Sequence, residues 1–168
     1  MRSIRLIIGS SFTPVLVVAV AAGLLAAACG GGANDGGMSA TIDGKLWHSP
    51  GQGSIVTGSD GATSFDLFGY TLLPNSLLID SSKPQLQIIF AQGVPSPGTY
   101  AVDGVAVNVE YLLNPNVWYD GSNGSVQVTS MSTSRAQGAF NFELQSPINN
   151  PAVLTVTDGA FDVPVSAH

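Results

Sequence analysis

Ala40-Thr41-Ile42-Asp43-Gly44-Lys45-Leu46-Trp47 decides how the chain folds. Apolar and polar residues alternate up to Asp43-Gly44, the dipeptide favoured by a type I′ turn because both central residues need positive φ. Read as a two-residue loop, this pair sets Ile42 opposite Lys45 and Ala40 opposite Trp47. The small Ala40 then lies beside the large Trp47 on one face. A period of two gives a strand with one dry face and one wet face.

The same alternation recurs outward from this stretch. Met38, Ala40 and Ile42 mark the first strand; Val105, Val107, Val109 and Tyr111 another; Val126 and Val128 a third. Phe140, Phe142 and Leu144, then Phe161, Val163 and Val165, follow the same rule. Weaker strands are expected near 54–57, 63–70, 77–80 and 85–90. Asp-Gly also occurs at 60–61, 103–104, 120–121 and 158–159, and each copy reads as a turn. The copy at 103–104 is expected to fold 100–102 onto 105–111. Residues 132–137 are expected to turn 124–131 back onto 138–145. No long helical period is present. The prediction is an all-β domain of nine or ten short strands, an antiparallel β-sandwich or a partly closed β-barrel, with the sandwich as first choice.

Residues 1–28 do not belong to that domain. Arg2 and Arg5 precede an apolar stretch whose unbroken part, 15–28, is only 14 residues long. A spanning helix needs about 20, whereas the core of a signal peptide needs about 7–15. Leu24-Leu25-Ala26-Ala27-Ala28-Cys29-Gly30 resembles the bacterial lipoprotein signal. That resemblance implies cleavage before Cys29 and diacylglycerol, with palmitate-type acylation, on its thiol. Ala26 stands where Leu is more usual. With a single cysteine in the chain no internal disulfide can form. Residues 29–37 then form a lipidated Cys and Gly-rich linker, and 38–168 a single domain. Gly30 lacks the Asp that retains some lipoproteins in the inner membrane. The expected location is the bacterial cell envelope, lipid-anchored, at the outer membrane.

Beyond Cys29 only Lys45, Lys83 and Arg135 face eleven acids, leaving a formal charge of −8. Such a surface repels phosphate backbones, so nucleic acid is excluded as a partner. His48 and His168 are the only histidines, too few and too scattered for a zinc site or a catalytic triad. No nucleophile elbow, phosphate loop or dinucleotide loop is present. Paired carboxylates for glycoside hydrolysis would have to come from Asp66, Glu110, Asp120 and Glu143. The polar phase of Glu110 and Glu143 makes a solvated face the plainer reading. Asp120-Gly121-Ser122-Asn123-Gly124 has the wrong spacing for a calcium loop and reads as a turn. No enzyme activity, cofactor or metal is expected.

The order of motifs resembles a group of uncharacterised bacterial lipoproteins. They open with an A-T-[IV]-[DN]-G-x-x-W motif, matched here by residues 40–47. A Gly-x-Tyr strand, here Gly98-Thr99-Tyr100, and a Gly-x-Phe-x-Phe strand, here Gly138-Ala139-Phe140-Asn141-Phe142, follow in turn. The ending 156–163 is also similar. The resemblance implies a small all-β envelope domain and assigns no activity.

Asn114-Pro115-Asn116-Val117-Trp118-Tyr119-Asp120 is the most suggestive surface stretch. Flat rings beside amides and acids are the usual means of stacking on sugars or anchoring a partner. Trp118, Tyr119, Asn116 and Asp120 are therefore the candidate ligand-binding residues. A strand over 117–119 would instead place the two rings on opposite faces, one of them inward. The expected function is a structural or interaction lipoprotein held to the membrane through Cys29, with a glycan or an envelope protein as partner. The alternative is a glycan- or small-ligand-binding module.

Overall fold

A computed structural model describes residues 36–146 and 152–167, apart from 75 and 77. Nine strands and no helix make up these residues: β1 Gly37–Ile42, β2 Lys45–Thr57, β3 Thr63–Gly69, β4 Gln85–Phe90, β5 Gly98–Ala101, β6 Val107–Asn114, β7 Val117–Met131, β8 Arg135–Gln145 and β9 Val153–Ala167. The segments 1–28 and 29–35, Cys29 included, lie outside the described residues. The regular domain begins one residue earlier than expected, since Gly37 already pairs with Pro50 and Asp162.

The sheet closes on itself. In the order β7-β6-β4-β3-β2-β1-β9-β8, every neighbour is hydrogen-bonded and antiparallel, and β8 returns to β7. Of the two architectures compatible with the alternation, the chain adopts the barrel, and its closure is complete among eight strands. Beyond the start of β1, β2 and β9 meet directly in a short parallel contact, Gly53–Ile55 against Val165–Ala167.

Asp-Gly plays several parts. At Asp43-Gly44 it forms the expected hairpin, with φ of 49° and 74° and the register Ile42↔Lys45 and Ala40↔Trp47. At 60–61 it turns β2 into β3, with Gly58 N donating to Ala62 O. The copy at 103–104 makes no hairpin. β5 and β6 both run antiparallel along the same edge of β7, β5 against Ser125–Val128 and β6 against Val117–Asp120. They are successive pieces of one line, and Asp103 holds the link between them. Its Oδ1 accepts from Val105 N (2.8 Å) and Ala106 N (2.7 Å). Asp120-Gly121 lies within β7, where no turn occurs. Asp158-Gly159 lies in a bulge of β9, where the register slips against both β1 and β8. Of the weaker strands, only 77–80 fails to form one: Ile79 makes an isolated bridge to Leu72.

Inward-facing residues fill the lumen: Leu67, Leu86, Ile88, Val107, Val126, Leu144 and Val163 are fully buried, with Phe65, Phe140, Phe142 and Phe161 nearly so. Eight strands enclose a space about wide enough for their own side chains. Large rings are accommodated where glycines face them. A Cβ on Gly138 would come within 2.4 Å of the Phe161 ring, and one on Gly159 within 2.3 Å of the Phe140 ring. Phe140 and Phe142 stack at 5.4 Å.

Candidate functional site

The register fixes which connections share an end. The β1–β2 hairpin, the 70–84 connection, the β6–β7 hairpin and the start of β9 lie at one end of the barrel. The 58–62, 91–97 and 132–134 turns lie at the other, along with the start of β1.

Trp118 and Tyr119 occupy adjacent positions near the first of these ends, on β7. Tyr119 points into the lumen, only 5% exposed, with its ring 6.2 Å from that of Tyr111. Burial, with Tyr119 close by, raises the Tyr111 hydroxyl above its ordinary pKa. Tyr119 is thus a core residue that a surface ligand does not reach. Trp118 points outward opposite Leu112 and remains 42% exposed. Asn116 is exposed in the hairpin, its backbone N–H donating to Asn114 Oδ1 at 3.1 Å. Asp120 is exposed on the wall, directly opposite both Glu110 and Gln145. Trp118, Asn116 and Asp120 therefore share an outward-facing surface.

The other candidate carboxylates do not converge in a cleft. Glu143 accepts from Asn123 Nδ2 at 3.0 Å and Asp66 from Ser64 Oγ at 3.2 Å. Glu110 and Asp120 face each other as like charges on the outer wall, where cross-strand repulsion is unfavourable but screened by water. Among the described residues no three of His, Cys, Asp and Glu are grouped to hold a metal ion.

The chain matches no family model, no curated protein and no solved structure. Its surface chemistry has to be read from its own residues.

Two further features were not legible in the sequence. A cavity of about 170 Å³ opens at the far end of the barrel, between the end of β4 and β5, bounded by Phe90, Val94, Pro95 and Tyr100. Tyr100 stands edge-on to Phe90 at 5.2 Å and donates its hydroxyl proton to Ser96 O. The cavity is small beside ligand sites of about 300–1,000 Å³. The second feature is at the Trp118 end, where most of the exposed aliphatic side chains lie: Leu46 at 79%, Leu78 at 68%, with Leu72, Leu73, Ile79, Leu113 and Val153 between 36% and 46%, whereas Val56, Val94 and Val105 are exposed elsewhere. Leu72, Leu73, Leu78 and Ile79 belong to a short ribbon in which Leu73 N donates to Leu78 O and Asp80 N to Thr71 O. The sequence marked only 77–80 of this ribbon, as a weak strand, and gave no sign that its side chains are exposed.

Proposed function

We propose that this chain is a cell-envelope lipoprotein, tethered to the outer membrane through Cys29, with a structural or interaction role and no catalysis of its own. The carrying observation is the sequence Leu24-Leu25-Ala26-Ala27-Ala28-Cys29, a short apolar run ending in small residues at the chain's sole thiol. The filled lumen supports the same reading, because it leaves the outer wall and the two barrel ends as the surfaces available to a partner. The similarity to uncharacterised bacterial lipoproteins in the order of motifs agrees with it. Mass spectrometry of the mature protein tests the tether. The expected N-terminus is Cys29 carrying diacylglycerol, and Cys29→Ser should remain unprocessed. An intact Met1 on the mature membrane form contradicts the proposal.

A second reading, a glycan- or small-ligand-binding module, is favoured by one observation: the outward, half-exposed Trp118 ring beside Asn116 and Asp120. An indole face flanked by an amide and a carboxylate suits the apolar face and hydroxyl edge of a sugar ring.

A further inference from the structure

The acyl chain on Cys29 explains attachment to a membrane but not the aliphatic end of the barrel. Exposed apolar surface gathered at one place marks an interaction site more often than scattered leucines do. Three observations bear on what covers it. Leu46 and Leu78, the most exposed of these side chains, project from a hairpin and a ribbon, with most of their surface free. Projecting leucines suit a fluid that closes around them better than a flat, shape-matched protein face.

Charge is the second observation. Lys45 and Lys83 lie at this end, offsetting Asp43 and Asp80. Asp120 and Glu110, facing each other beside Trp118, add negative charge close to this end, and the other six described acids lie farther along the wall or at the opposite end, with Arg135. With Asp120 and Glu110 included, the aliphatic end is still less negative than the rest of a strongly acidic domain, and it carries two of the three described cations. Lysines and a tryptophan bordering an aliphatic zone match the polar boundary of a bilayer, where indole rings collect and ammonium groups meet anionic headgroups.

Reach is the third. Seven residues separate Cys29 from Gly37, a covalent span of about 25 Å at full extension. β1, the strand leading from the tether to the aliphatic end, has six residues, about 20 Å at strand rise. The linker is therefore long enough for Cys29 and the aliphatic end to meet the same bilayer.

We propose that the Leu46–Leu78 end of the barrel docks on an anionic lipid surface, laying the domain against the membrane that holds its tether. This inference rests on the lipoprotein reading, and the two fail in different ways. The full-length chain, processed in a bacterial host, is reconstituted in phosphatidylethanolamine–phosphatidylglycerol vesicles as Leu78→Cys or, for the opposite end, Asp60→Cys. Each introduced thiol carries an environment-sensitive fluorophore. The expected result is a blue-shifted signal at position 78, quenched by doxyl-labelled lipids, and an unquenched, water-like signal at position 60. Adding Lys45→Glu and Lys83→Glu to the Leu78→Cys chain should weaken the quenching. Vesicle flotation and the mass of the Cys29 peptide report the tether separately. A chain that floats while position 78 stays as wet as position 60 overturns the docking proposal alone. A chain that does not float, and whose Cys29 takes up the fluorophore, overturns both.

Discussion

Trp118 and Tyr119 show how one residue step changes a side chain's role. Successive side chains of a strand point to opposite faces, so β7 gives one ring to the lumen and the other to solvent. The neighbouring positions predicted that division, although both residues were also candidates for ligand contact. The consequence is a clean pair of variants. Truncating the buried Tyr119 to Ala is expected to cost about 3–5 kcal/mol, as for other large core aromatics. Trp118→Ala, which leaves the lumen intact, is expected to cost about 1 kcal/mol or less. Melting curves of the two variants, read beside a glycan array, separate the roles. Loss of a bound sugar by Trp118→Ala at an almost unchanged melting temperature favours the binding-module reading. A Trp118→Ala protein that melts as early as Tyr119→Ala contradicts the outward placement. Electrostatics at this scale is mild. The Arg135–Asp162 pair, 2.5 Å apart, has both side chains more than a third exposed. Arg135 holds the Asp162 carboxyl below its usual range, so what the pair contributes is present above that range and lost as pH falls through the lowered pKa. Exposed pairs of this kind contribute little.

At the scale of elements, alternation was an accurate guide to strands and a poor guide to what joins them. It identified β1, β6, β8 and β9, and it gave the first hairpin its register. It could not distinguish Asp-Gly as a turn from Asp-Gly as a bulge or a link, because positive φ serves all three. Asp158, at φ 53°, and Gly159 lie inside β9, and Asp120-Gly121 lies inside the 15-residue β7, which joins two stretches that read as separate strands. The bulge in β9 brings Gly159 against Phe140. A methyl group there would lie 2.4 Å from Phe140 O, a backbone atom that cannot simply turn aside. Gly159→Ala is therefore expected to destabilise the domain by about 1–3 kcal/mol, the range of overpacked cores. Chemical denaturation checks this. A variant as stable as the parent would mean that β8 and β9 do not approach as closely as described.

Barrel closure belongs to the whole molecule and left no local trace in the sequence. A strand in a sandwich and a strand in a small barrel show the same inward–outward alternation. What separates them is whether every strand has a partner on both sides. Large residues facing glycines, such as Phe161 over Gly138, fit a narrow lumen, but their partnership appears only once the register is known. The aliphatic end was hidden for a similar reason, since its residues come from segments far apart in the chain. Closure underlies the proposed function: a filled, seamless barrel leaves its outer wall and ends as the surfaces open to a partner. Solution NMR tests this most directly through cross-strand contacts between backbone protons at each of the eight seams. The expected result is a complete ring, including Leu86–Tyr111 between β4 and β6, Val126–Phe140 between β7 and β8, and Met38–Phe161 between β1 and β9. A protein that lacks the contacts of any one seam while keeping the others would be an open sheet or a sandwich, and would contradict the account.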